Sequence, residues 1–351
     1  MAEPAADYRI HSPFTELTLA RIRELMREPE AIFWVFVFPI VLAGILGVAF
    51  RNRPADRIPI AVVAGPHAEA RTAALGGEPD LEPRVLPEVE ARQALARGHV
   101  VLVVSADDTP EYRYDPTQPE SRGARLAVDA ALQGAAGRKD AFTAARSETI
   151  EPGGRYVDFL VPGLLGMNLM GTGMWGIGFS LVVARNGNLL KRLIAAPVRR
   201  SHLLGAQLAS RLLFLVPEAG ALLLFAYFVL GVPLRGSVLL LVGVSFVGAL
   251  AFSGLGLLTA ARPRTIEGVS GIMNFVMVPM WIFSGIFFST DRFPSAMQPF
   301  VQALPLTALN DALRGVMLEG AGLVPLIPEL AILSAWGMVT FVLALKFFRW
   351  Q

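Results

Sequence analysis

The chain has 351 residues, 54% of them apolar and only 17% charged, with a formal net charge of +2. A soluble globular chain lies nearer about 45–50% apolar and about 25% charged, so the composition points away from one ordinary soluble domain. So small a net charge carries no general attraction to nucleic acid, and the absence of cysteine excludes disulfides, thiolate metal sites and cysteine nucleophiles.

Residues 1–30 are polar and contain SPFTELTLARIRELMRE (Ser12–Glu28). Ser12 reads as an N-cap with Pro13 at the first helical position, and Pro29 as a stop. Phe14, Ile22, Leu25 and Met26 share one side of that helix, with Glu16, Arg23 and Arg27 on the other. Such an amphipathic helix rests on a membrane surface or a partner, or on this chain's own loops. The run Ala31–Phe50 follows, about 30 Å long as a helix, which matches the hydrocarbon thickness of a bilayer. It exceeds the roughly 7–15 residues of a signal-peptide core, so an uncleaved first span is expected.

Residues 51–156 read as ordinary soluble protein. IPIAVVAG (Ile58–Gly65) and HVVLVVSAD (His99–Asp107) have the character of buried strands, Glu111–Asp115 alternates like a strand, and Ala68–Leu75 and Glu88–Arg97 suggest helices. Pro119–Arg146 is alanine-rich and helical in pattern, with interruptions at Gly134 and Gly137. This alternation implies a small α/β domain. Neither buried strand is followed by a glycine fingerprint for nucleotide.

Residues 157–351 return to membrane character. Phe159–Ala184 carries six glycines, which in lipid let helix backbones approach closely, so this span is expected to pack against others. A basic connector, Arg185–His202, leads to spans at about Leu212–Leu230 and Val238–Ala261. A short basic link, Arg262–Gly268, precedes a span at Val269–Phe288. Ser289–Gly322 is punctuated by Pro294, Pro299 and Pro305 and reads as re-entrant or interfacial half-helices, and Val324–Leu345 is the last span. The fold expected is mainly α: a polytopic membrane protein with six transmembrane helices and an α/β domain between the first two.

Lysine and arginine near span ends favour the cytoplasmic side. One set of segments holds thirteen (Arg9, Arg21, Arg23, Arg27, Arg185, Lys191, Arg192, Arg199, Arg200, Arg262, Arg264, Lys346, Arg349), and the opposite short loops hold only Arg235, Arg292 and Arg314. Both termini are therefore expected in the cytoplasm, with the α/β domain outside. Arg51, Arg53 and Arg57 run against this, but long domains cross largely regardless of charge.

No Walker A pattern occurs, so any ATPase must be a separate polypeptide. The histidines (His11, His67, His99, His202) all lie outside the apolar runs and no paired aspartates lie within them, which removes intramembrane serine–histidine and aspartyl proteolysis. Glu218 is the one acidic residue well inside an apolar run, and Arg211 lies two turns away on the same helix side. Glu218 is either a substrate-path or proton-linked acid or a structural carboxylate paired with Arg211 or a neighbouring helix. In the connector, Asn186 and Asn188 flank Gly187, and LLKRLIAA then supplies about two helical turns before Pro197. It is either a cationic docking element for a cytoplasmic partner or ordinary positive-inside charge.

VDFLVPGLLGMN (Val157–Asn168), LLKRLIAAPVRRSHLLGAQL (Leu189–Leu208) and LPLTALNDALRGVM (Leu304–Met317), in that order and spacing, resemble the permease subunits of type-2 ABC exporters. The resemblance covers Val157 to Leu345, and members with a large external domain after the first span form a subgroup that residues 51–156 fit. It implies a bacterial inner-membrane permease without its own ATP site, paired with an ATP-binding subunit and a second permease copy. It also implies an interface helix bearing Arg23 and Arg27, and a coupling contact through Asn188, Lys191, Arg192, Pro197, Arg199 and Arg200. At the connector's start this chain has Arg185-Asn186-Gly187 where many members carry an acidic residue. The implied activity is export of a hydrophobic or amphiphilic substrate. An ion-coupled secondary transporter, which needs carboxylates or broken helices in two related halves, and a non-transporting sensor or scaffold are the competing readings.

Overall fold

The computed structural model describes residues 13–50, 57–139, 142, 154–187 and 200–347. In chain order these form α1 (Pro13–Arg27), α2 (Pro29–Ile32), a π-helical turn (Phe33–Val37) and α3 (Phe38–Ala49), followed by β1 (Ile58–Val63), α4 (Ala68–Gly76), β2 (Leu81–Leu86), α5 (Glu88–Ala96), β3 (Leu102–Val104), β4 (Tyr112–Tyr114) and α6 (Pro119–Ala135). Then come α7 (Tyr156–Gly173), a second π-helical turn (Met174–Phe179), α8 (Ser180–Asn186), α9 (Arg200–Phe228), α10 (Val238–Ala260) and α11 (Ile266–Phe283). The last helices are α12 (Gln298–Ala303), α13 (Pro305–Arg314) and α14 (Ile327–Phe347), with a π-helical turn (Gly315–Glu319) after α13. Two compact units result: Met1–Arg51 with Ile150–Gln351, and Asn52–Thr149.

The smaller unit is a four-stranded sheet in the order β2-β1-β3-β4, with β1 parallel to both β2 and β3 and β4 antiparallel to β3. Its cores form from β-branched and leucine side chains of β1 and β3, packed against Leu75 on one side and Ala91 on the other. Arg71, itself buried, donates to the carbonyls of Ser105, Asp107 and Asp108 and so pins the loop after β3. One detail differs from the sequence reading. Leu81–Leu86 is a strand although it holds Pro83, Glu82 and Arg84; it lies at the sheet edge, where proline and charge are tolerated. Helix α6 ends at Ala135, and Gly137, one of the two expected interruptions, takes φ +96° just beyond it, a conformation that glycine alone adopts freely; residues 140–141 and 143–146 lie outside the described residues.

Among the described residues, five helical stretches of the larger unit are long and apolar enough to cross a bilayer: Tyr156–Asn186, Gly205–Phe228, Val238–Ala260, Ile266–Phe283 and Val324–Phe347. Phe33–Ala49 is a shorter apolar helix. The glycine-rich Tyr156–Asn186 stretch is central, with Leu160, Leu164, Leu165, Leu169 and Met170 fully buried. Helices α10 and α14 meet through small residues, Gly254 and Ala251 against Gly337. The outward faces are apolar instead: Leu213, Val216 and Leu224 on α9, Phe275 on α11, and Met338 and Val342 on α14 are exposed. An apolar surface of this extent is a lipid-facing pattern.

Boundaries shift where tertiary partners exist. Helix α9 runs from Arg200, so Arg200–His202, read as part of the connector, is helix, which also extends well before the span expected from about Leu212. Helix α11 stops at Phe283 rather than Phe288. Gly285 turns with φ +69°, and the carbonyls of Ser284 and Gly285 accept from Asn310 and Arg314 of α13. Arg314, counted above as an outer-loop charge, is packed inside the bundle over the Phe159 ring, 3.8 Å from its centroid. Asp311 lies beside it at 3.4 Å.

Candidate functional site

Span two, the stretch from α7 to α8, carries Asn168, Thr172, Gly176 and Ser180 at intervals of four residues, hence on one side of the helix. Helix α9 presents Gln207, Arg211 and Glu218 toward them, and together they form a polar ladder. Arg211 Nη1 donates to Glu218 Oε2 at 2.6 Å, Arg211 Nη2 donates to Thr172 Oγ1, and the Thr172 hydroxyl faces Glu218 Oε1 at 3.0 Å and the Asn168 carbonyl at 2.7 Å. Glu218 is 1% exposed and Arg211 8%, so both charges are held away from water, paired with each other and with Thr172, while Arg211 Nε is buried without a partner. An ion pair this deep persists only with such geometry, because each charge alone costs several kcal/mol to bury.

Both ends of the ladder take up backbone carbonyls of π-helical turns. At one end Asn168 Nδ2 donates to the Val35 carbonyl at 3.1 Å, in the π-turn that follows α2. At the other, Gln207 Nε2 donates to Ser180 Oγ at 2.5 Å and approaches the Gly176 carbonyl at 3.4 Å, and Ser180 Oγ donates to that same carbonyl at 2.7 Å. Gly176 lies in the π-turn of span two. A π-turn disturbs the regular i→i−4 ladder, and these polar side chains supply donors where it does so.

The ends of the helical unit differ in charge. At one end Arg185 Nη1 donates to the Pro263 carbonyl at 2.9 Å and Arg262 lies over the Phe347 ring at 5.0 Å. The end of span two, the link between α10 and α11, and the end of α14 therefore meet there. Helix α1 packs against α9, with Phe14 over Gly205. At the opposite end Phe50 stacks on Tyr156 with centroids 4.3 Å apart, Tyr156 donates to the Phe287 carbonyl at 3.0 Å, and Arg155 bridges Asp158 at 2.7 Å and the Gly231 carbonyl at 2.7 Å. Arg185, Arg262 and Lys346 thus lie at one end, as the segments grouped by charge require.

The sequence-derived site residues divide accordingly. Arg211 and Glu218 are brought together. Arg23 and Arg27 lie exposed on α1, which packs on this chain's own helix α9. Arg200 opens α9, and Asn188, Lys191, Arg192, Pro197 and Arg199 lie outside the described residues, as does Ser12. Asn168, Thr172, Ser180 and Gln207 escaped the sequence reading; the available signals were the multiples of four that separate the first three and the four-residue step from Gln207 to Arg211. Among the described residues no cluster of three or more metal-ligating side chains occurs.

Comparison with known proteins agrees with this architecture. Residues 29–346 match the family model described as ABC-2 family transporter protein. The chain is 24% identical over 334 residues to "Probable multidrug ABC transporter permease YbhS" of Escherichia coli (strain K12), an alignment covering 87% of this chain and 88% of that protein. It is 27% identical over 176 residues to "Linearmycin resistance permease protein LnrN" of Bacillus subtilis (strain 168), covering 50% of this chain and 46% of that one. Likeness to "ABC transporter G family member 20" of Dictyostelium discoideum is 29% over 176 residues, 49% of this chain and 24% of that protein. The chain thus spans less than half the length of the last two relatives and most of the first. With five apolar helices of spanning length and a family match from residue 29 to residue 346, the chain belongs to the ABC-2 family of transporter proteins, as a multi-pass membrane permease.

Proposed function

We propose that the chain is the permease subunit of an exporter driven by a separate ATP-binding-cassette subunit, working as a pair of permease copies in a bacterial inner membrane. The observation that carries this reading is the shared basic end. The connector between α8 and α9 leaves from that end, where Arg185 and Arg262 also lie and where α1 packs on α9. A cationic connector held between two spans is suited to dock into an acidic groove of a cytoplasmic ATPase. Six spans fit the reading, since α2, the π-turn and α3 run without a break over Pro29–Ala49, about 30 Å of helix. The basic end then faces the cytoplasm with both termini, and residues 52–149 lie outside. The apolar, glycine-rich spans and the names of the multidrug and linearmycin-resistance relatives favour a hydrophobic or amphiphilic cargo.

Two measurements test it. The chain lacks cysteine, so single cysteines report without background. In intact spheroplasts a membrane-impermeant maleimide should label Leu126→Cys and Ser295→Cys but not Glu267→Cys, which reacts only after lysis. Labelling of Glu267→Cys from outside refutes the orientation. Arg192→Glu with Arg199→Glu should reduce ATPase co-purification at least tenfold while leaving permease yield unchanged. Undiminished pull-down removes the connector from the contact.

A further inference from the structure

The polar ladder has a role beyond holding a buried ion pair. We infer that Asn168, Thr172 and Gln207, with the Arg211–Glu218 pair, are positioning residues that bind span two and α9 into one lever on either side of the connector, so that a displacement of the connector is delivered to the π-turn at Val35. The inference rests on the reading that the connector meets an ATPase. Span two precedes the connector directly and α9 follows it directly, and the ladder joins the two along the length from Ser180 to Asn168. Its far rung leaves the pair of helices altogether, ending on the Val35 carbonyl of the first apolar helix. A π-turn carries one residue more than the α-turn it replaces, so relaxing one to α-helix rotates the helix beyond it by roughly 100°. Side chains that occupy the carbonyls of two π-turns, Val35 and Gly176, therefore set the helix faces on either side of each turn.

The test uses the full-length chain in nanodiscs with the ATPase that co-purifies with it, ATP and vanadate as probe, and spin labels at introduced cysteines. Val183, Leu213 and Ile45 are exposed, and no native cysteine competes. In the wild-type background the Val183→Cys/Leu213→Cys distance distribution should stay unchanged on vanadate trapping of the nucleotide, while that of Ile45→Cys/Leu213→Cys shifts. Thr172→Val, and Arg211→Met combined with Glu218→Leu, should retain the ATPase and its turnover, yet let the first distribution shift and lose the response of the second. A purely structural role leaves these nucleotide responses as in wild type. If the apolar double variant fails to fold, Asn168→Leu and Gln207→Leu report on the same two distances. Ladder variants that respond like wild type, or a wild-type Ile45–Leu213 distance indifferent to the vanadate-trapped nucleotide, overturn the lever while the permease function stands. A wild-type chain that retains no ATPase overturns both.

Discussion

Gly256→Leu will prevent accumulation of the folded permease, and Gly256→Ala will destabilise it by about 1–3 kcal/mol, the range for overpacking a well-filled interior. A Cβ at Gly256 meets the Gly173 carbonyl oxygen and Met174 Cα, each at 2.9 Å, and the Met174 carbonyl oxygen at 3.0 Å. All three are backbone atoms and cannot swing aside. The contact is reciprocal, because a Cβ at Gly178 strikes the Gly256 carbonyl. Span two and α10 therefore cross where the π-turn begins, and only glycine leaves room for its widened backbone. Gly243 lies on the same helix α10 with nothing within 4 Å of an added Cβ. Gly243→Ala should be neutral or stabilise by up to about 1 kcal/mol through reduced backbone entropy. Thermal unfolding of detergent-solubilised full-length chain, followed by monodisperse peak height, measures both. Equal effects at Gly256 and Gly243 rule out the close crossing.

Arg211→Met alone should cost about 3–5 kcal/mol, whereas Arg211→Met with Glu218→Leu should lie near wild type. The single substitution strands a carboxylate that is 1% exposed, with the Thr172 hydroxyl as its remaining partner, and an uncompensated buried charge carries a penalty of that size. Removing both charges replaces the pair by apolar groups of similar volume, which is often neutral or stabilising. The same unfolding assay, run as a double-mutant cycle, gives the coupling. If the double variant is no more stable than Arg211→Met, the two side chains do not compensate one another. The double variant also separates stability from function, since the ladder inference has it folded but no longer transmitting.

Much of the helical unit was legible from the residues. Each long apolar stretch that reads as a span from Phe159 onward corresponds to a helix, because in hydrocarbon a chain satisfies its backbone groups only by helix or closed barrel. The six glycines of Phe159–Ala184 announced a closely packed helix, and Gly173, just before the π-turn, and Gly178 within it both serve the crossing with α10. The grouping of arginines and lysines anticipated that Arg185 and Arg262 share one end. The α/β character of residues 51–156 followed from β1, β3 and the helices between them.

Other features came only from tertiary structure. Leu81–Leu86 carries too much charge, and a proline, to declare itself a strand; its place at the sheet edge beside β1 makes it one. Arg314 counts as a loop charge until α13 folds into the bundle and lays it on Phe159. The π-turns at Phe33–Val37 and Met174–Phe179 leave no mark in local propensity, and the donors that Asn168 and Gln207 bring to their carbonyls arrive only after the helices pack. Local sequence thus sets which segments enter lipid and which ends carry charge, since transfer free energy is a property of each side chain. Which polar groups meet inside is decided by packing, because a hydrogen bond needs two partners within about 3 Å and these lie on different helices.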